Sequence, residues 1–412
     1  MTHRLIRTAL AALALSASVA RADDGGPPTL SFSGFGTLGA AHSSERQADF
    51  TSTSLKPDGA GYSRRWSADV DSRLGAQMIA DITGQVSVVV QLVSEQGPDN
   101  SYRPTVEWAN VKFQVTPDFS VRVGRIQLPA YMVSDSRKVG YAHAWIRPPV
   151  EVYDLEPISS SDGLDLQYRV NIGQVSATVQ ALYGRSDPRL PVGSGNAKAR
   201  DARGVAVNGE RGAATVHVAY LKANVTLDAL DPLFAGFRQF GPQGVALADQ
   251  YGTTNKPFTF LTVGGAFDPG DWFVRAEWGR GDNHSAFLRK SAWYVTGGIR
   301  RGALTPHATY AHAKADSATS DPGLTLSTLP PSLAGPASAL NAGLNAVLAM
   351  APVQNTVSLG MRWDFAKNVA AKIQYDHLRI GAGSPGTLIN PQPAFQTGGS
   401  VNVFSAAIDF LF

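Results

Sequence analysis

The stretch from Val357 to Asp376 limits what this chain can fold into more than any other. Val357, Leu359, Met361, Trp363 and Phe365 interleave with Ser358, Gly360, Arg362 and Asp364. After a turn around Lys367 and Asn368, Val369, Ala371, Ile373 and Tyr375 interleave with Ala370, Lys372, Gln374 and Asp376. A period of two gives an antiparallel hairpin with one apolar and one charged face. On the lipid side of a membrane barrel an Arg or Lys near the midplane costs roughly 2–4 kcal/mol. The charged face therefore points into water, which inside a barrel is the lumen. A soluble sandwich would bury the apolar face instead, and the number of hairpins separates the two cases.

The same alternation predicts strands at about 29–41, 66–80, 84–95, 104–116, 118–127, 162–171, 174–184, 202–209, 212–226, 257–268, 271–280, 287–300, 303–314, 354–366, 368–380 and 400–412. These sixteen segments are joined by connections that alternate strictly between long and short. Short periplasmic turns, longer outer loops and an even strand number are what an outer-membrane barrel requires; sandwiches mix hairpins with cross-sheet connections. Strands of about eleven residues, rising about 3.3 Å each and tilted near 45°, span roughly 25 Å, the height of the apolar band. The expected fold is an all-β, transmembrane, antiparallel up-and-down barrel of about sixteen strands, wide enough for an aqueous channel.

The amino terminus fits that compartment. Arg4 and Arg7 precede an apolar run from Ala9 to Val19, and Ala20-Arg21-Ala22 has the small-x-small form of a cleavage site. Residues 1–22 read as a secretory signal peptide, leaving 23–412 as a single barrel domain. The run is shorter than the 18 or so apolar residues of a membrane helix. The whole chain has 36 basic and 33 acidic residues. The leader holds three arginines and no acid, so the remainder is formally neutral and lacks the basic excess of a nucleic-acid-binding protein. Cysteine is absent, which removes disulfides, thiolate nucleophiles and cysteine metal sites.

Residues 129–161, PAYMVSDSRKVGYAHAWIRPPVEVYDLEPISSS, form the third long connection. A loop of this length in a compact chain calls for a functional reason. It is expected to fold into the lumen and narrow it, with Pro148 and Pro149 fixing its backbone. Parity places Arg73, Arg122, Arg169, Arg275, Arg362 and Lys372 on the inward face of the wall. A basic ladder there would face the loop acids Asp135, Glu151, Asp154 and Glu156, and charged rings in a pore set ion preference. The plainer alternative is that most wall charges are simply solvated. Arg137 and Lys138 in the loop either tie it to the wall or meet solute.

In the last strand Phe404, Ala406, Ile408, Phe410 and Phe412 share one face, and the strand is expected to close the barrel by pairing with the first. This ending resembles the Gram-negative outer-membrane porins, in which a terminal aromatic, here Phe412 with Phe410 before it, is the signal read by the insertion machinery. Asp71-Ser72-Arg73-Leu74-Gly75 and Val123-Gly124-Arg125 are similar to segments of trimeric porins whose arginines line the constriction. That likeness adds Arg125 to the pore-lining basic set, although it is out of phase with Arg122. The loop sequence departs from the general porins and looks closer to a less characterised porin-like branch. The resemblance implies a homotrimer in outer-membrane lipid.

Other features have plainer readings. Trp272, Trp278, Trp293, Tyr310 and Trp363 fit interfacial aromatic girdles, with a sugar-stacking slide as the sharper alternative. His217 and His307 lack metal-ligand spacing, and neither a metal nor a cofactor is expected. Short helices are expected at 338–350 and 230–240, packed on the rim. No Gly-x-Ser-x-Gly, His-Glu-x-x-His or phosphate-binding glycine loop occurs. The expected function is a water-filled channel for passive diffusion of small hydrophilic solutes and ions. Its rivals are a barrel enzyme such as a lipid hydrolase, and a plugged surface-binding barrel.

Overall fold

The computed structural model describes residues 28–412. The proposed leader lies outside the described residues, among which sixteen long strands form one closed antiparallel sheet. They are β1 (Thr29–Ser43), β2 (Arg73–Asp81), β3 (Val86–Glu95), β4 (Thr105–Gln114), β5 (Phe119–Gln127), β6 (Ser160–Ile172), β7 (Val175–Ser186) and β8 (Ala197–Arg211). The second half holds β9 (Ala214–Leu227), β10 (Lys256–Phe267), β11 (Trp272–Asn283), β12 (Arg289–Ile299), β13 (Leu304–Ala315), β14 (Gln354–Ala366), β15 (Val369–Ile380) and β16 (Ser400–Leu411). Each strand pairs with the next in sequence, and β16 returns to β1 in register from Phe35↔Leu411 to Ser43↔Val403. Closure leaves no strand edge with unpaired backbone groups, the condition for crossing a bilayer as a sheet.

Alternation along the strands separates the two faces. On β15, Ile373 and Tyr375 are exposed on the outer surface, whereas Lys372, Gln374 and Asp376 are buried on the inner one. On β16, Phe404 and Ile408 point out, and Ser405, Ala407 and Asp409 point in. At the seam, the Phe410 and Phe412 rings lie across β1 over Gly36 and Gly34. A Cβ at either glycine would fall 2.2 or 2.1 Å from a ring carbon. Glycine is thus needed there for close approach.

The second expected strand, 66–80, is broken. Trp66–Ser67 pairs briefly with β1, the chain turns through Ala68 to Ser72, and regular pairing resumes at Arg73. Ser72 explains the break: its hydroxyl accepts from Gly39 N at 3.0 Å and donates to Gly39 O at 3.2 Å, replacing a ladder partner. β8 begins five residues before the expected 202, with a register shift between Arg200 and Arg203.

Two features stand at the long-loop end. Loop 1, between β1 and β2, carries a small ladder of Asp49–Phe50 with Ala60–Gly61. α2 (Asp231–Arg238) and α3 (Gly241–Tyr251) of the β9–β10 loop pack with α4 (Pro331–Leu348) of the β13–β14 loop. Phe234, Phe237, Leu247, Leu344 and Leu348 form their core, resting on Ala286 and Leu288 of the β11–β12 loop. The β5–β6 loop, hereafter loop 3, turns inward and contains the short helix α1 (Val150–Tyr153).

Candidate functional site

Loop 3 stays inside the barrel because one side of it is a hydrophobic core. Tyr131, Val133, Trp145, Val152, Tyr153 and Leu155 pack on inward-facing Ile126, Leu182, Leu221, Phe260, Tyr294 and Ala311 of the wall. Tyr131 stacks on Tyr153 at 4.4 Å and meets Phe260 edge-on at 5.4 Å. Fixing a loop costs about 1–2 kcal/mol per residue in backbone entropy. Burial of a large apolar side chain returns about 1.5–3 kcal/mol, so a loop this long needs such a core to stay in one place.

Polar anchors set its height. Glu277 of β11 accepts from Met132 N at 2.7 Å and from the Tyr153 hydroxyl at 2.8 Å. Thr262 Oγ1 donates to Ala130 O at 2.6 Å. Further along, Lys138 Nζ lies 2.7 Å from Glu95 and 2.8 Å from Glu107. Burial alone would lower that lysine's pKa, but Glu107 and Glu95 outweigh it and hold the ammonium charged well above the usual range. Arg147 makes a two-pronged pair with Asp71, 2.8 and 2.6 Å, and reaches Asp376 at 3.1 Å and Ser405 at 2.6 Å. Its side chain is 3% exposed and that of Asp71 1%. Lys372 joins Asp409 at 2.7 Å and also donates to Gly140 O and Trp145 O. Arg362 donates to His143 O at 2.9 Å while its guanidinium covers the Tyr141 ring at 4.5 Å. His143 is buried with one ring nitrogen against Ser136 O, and burial pushes its pKa down to about 3.

The polarity of these contacts departs from the expected one. Among the described residues, no wall cation of the predicted ladder forms an ion pair with Asp135, Glu151, Asp154 or Glu156. Instead the loop supplies cations, Lys138 and Arg147, to wall carboxylates. Glu151 accepts from the neutral Gln354 and Thr356, and burial raises its pKa. Asp154 accepts from Thr53 and from the Ser54 amide and hydroxyl, joining loop 3 to loop 1. Glu156 is buried, accepts from Ile158 N, and is pushed up to about 7 by burial. Asp135 is exposed within the barrel. The reason is energetic: a buried ion is tolerated only with a close partner, and buried acids facing neutral donors do not form a field.

The remaining wall cations are scattered. Arg73, paired in register with Thr37 and Glu95, approaches Glu95 only to 3.9 Å. Arg122 is held by Asp165 at 3.0 Å, Arg275 lies 5.3 Å from the Trp145 ring centre, and Arg169 is exposed near the short-turn end. Arg125 is not on the inward face of β5, although its side chain borders the open space beside loop 3. It sits in register with Ala109 and Asp162 on the outward parity shared by Val123, and it pairs there with Asp162 at 2.7 Å. Neither β5 ladder contains a register shift that would turn Arg125 inward. Arg137 bonds within its own loop, to Tyr153 O at 2.6 Å, above the Tyr131 and Tyr153 rings.

Sequence reasoning missed Arg147 as the main anchor, the wall acids Asp71, Glu95, Glu107, Glu277 and Asp409, and Lys56 of loop 1. The inward parity of Asp71, Glu277 and Asp376 was a usable signal: several inward acids on well-spaced strands ask for cations from elsewhere in the chain.

The dry core closes the lumen between loop 3 and β5–β13. On the other side a void of about 460 Å³ separates loop 3 from β2–β7. Loop 1 contributes Thr53 and Lys56 to its lining, the wall Arg73, Glu95 and Glu107. At the level of sequence, the model of a Gram-negative porin family matches residues 9–382. The chain belongs to the Gram-negative porins. No curated protein sequence matches it. Among solved structures, this porin is similar to the outer membrane channel DcaP of Acinetobacter baumannii, at 13% identity and TM-score 0.53 over 94% of this chain and 98% of that one. It is also similar to OmpT of Vibrio cholerae, at 12% identity and TM-score 0.51 over 95% and 100% of the two chains. A trimer form of OmpT gives 11% identity and TM-score 0.51 over 94% and 100%. At these identities the likeness is one of fold.

Proposed function

We propose that this porin passes small hydrophilic solutes and ions by passive diffusion across the outer membrane, through the void beside loop 3, and catalyses no reaction. The observation that carries this reading is the asymmetry of the lumen, with a dry core on one side of loop 3 and ionised side chains around open space on the other. Of the lumen-facing cations, Arg73 is assigned to the wall of the path, and Arg122, Arg169 and Arg275 to the inner wall away from it. Arg362 and Lys372, with Lys138 and Arg147, are assigned to the anchoring of loop 3. Residues 1–22 act as the export leader, and Phe410 and Phe412 as the insertion signal. A homotrimer is the assembly this reading favours, in keeping with family resemblance and with the trimer form of OmpT.

Recording from purified protein in planar bilayers tests the proposal. Stepwise, ohmic conductance is expected. A silent barrel would instead favour the plugged, surface-binding reading, and phospholipid hydrolysis without conductance would favour the enzyme.

A further inference from the structure

We infer that the path beside loop 3 prefers small anions, and that Lys56, Arg73 and Arg137 form the face that selects them. This rests on the diffusion reading above and adds the class of solute.

The inference follows from which charges around the void are already matched. Glu95 and Glu107 share Lys138. Arg147 is enclosed by Asp71 and Asp376. Asp162 is taken by Arg125, and Asp187 by Arg200. Counting the charged residues that line the void together with their direct partners, eight cations meet six carboxylates.

Three of the cations nearest loop 3 lack a close carboxylate of their own. Lys56 Nζ bonds to the backbone oxygens of Asp69 and Val70 and forms no ion pair among the described residues. Arg137 donates to the backbone oxygens of Tyr153, Glu156 and Pro157. The acid near it, Glu156, is buried and half-protonated close to neutral pH, so it offsets Arg137 only in part. Arg73 is 3.9 Å from Glu95, whereas Lys138 holds that carboxylate at 2.7 Å.

Backbone oxygens satisfy hydrogen bonds without cancelling charge. A narrow, low-dielectric passage with an excess of one sign concentrates the opposite ion, and rings of Arg and Lys favour anions. Loop 1 is part of this device: Asp154 fastens Thr53 and Ser54, which brings Lys56 to the void.

Reversal potentials in a potassium chloride gradient test the inference. The parent porin should pass chloride several-fold better than potassium. Lys56→Gln and Arg73→Gln should each lower that ratio, and the double variant should bring it near one. Arg73→Lys should keep it, and Arg300→Ser, whose guanidinium pairs with Asp268 away from the void, should not change it. An open channel that favours potassium, or a ratio unmoved in the double variant at undiminished conductance, overturns the inference and leaves the diffusion reading intact. Absence of conductance in the parent protein overturns both.

Discussion

Arg147 and Asp71 are 76 positions apart in sequence and meet as a two-pronged ion pair inside the barrel, with Asp376 and Ser405 completing the guanidinium's shell. The pair joins the middle of loop 3 to the turn that leads into β2. Removing one partner of a buried pair leaves the other charge without compensation, typically at a cost of about 3–5 kcal/mol.

Arg147→Met is therefore expected to loosen loop 3 rather than unfold the wall. The barrel should keep its strand content by circular dichroism while single-channel traces become noisier and loop 3 becomes open to proteolysis. A quiet, protease-resistant variant would show that the apolar core alone holds the loop.

Tyr153→Ala tests that core. The ring packs on Tyr131 and Tyr294, and its hydroxyl reaches Glu277. Truncating a buried aromatic costs about 3–5 kcal/mol. Because the cavity would open on the closed side of the lumen, single-channel conductance should rise; unchanged conductance would mean that loop 3 collapses into the space.

Lys56 makes the preference for anions depend on pH. Burial lowers its pKa from 10.5 to about 8; Glu95, Asp71 and Asp69 act to raise it and Arg73 to lower it further. A lysine carries its charge below its pKa, so the cation is present in mild acid and is lost as pH rises through about 8. The chloride-to-potassium ratio should fall over that range, and Lys56→Gln should lose the part of the fall centred near 8 while keeping the part that Glu156 contributes near 7. A parent profile identical to that of the variant would remove Lys56 from the selecting face.

The wall of this porin was legible in its sequence because a membrane barrel imposes its rule locally. Every second residue meets lipid or lumen, so Ile373 and Tyr375 against Lys372 and Gln374 reveal a face without any distant partner. Turns such as that at Asn368, with φ of 61°, mark the ends as locally. The inward fold of loop 3 could also be expected from its length, its prolines and its place among the long connections. Arg125 marks the boundary of this reasoning: parity argued against a lumen position, resemblance argued for one, and the register of β4, β5 and β6 decided for the outward face.

What the sequence by itself determined was the closed sheet and which face of each strand meets water. Only the tertiary structure decided which charges meet. Arg147 lies 229 positions from Asp376 and 258 from Ser405, and Glu277 lies 145 from Met132. Such partners are brought together by barrel closure and the path of loop 3, and no local pattern encodes them. The sign of the contacts was decided in the same way. A buried acid takes whichever donor the fold presents, so Glu151 settles on Gln354 and Thr356 while Lys138 and Arg147 satisfy the acids of the wall.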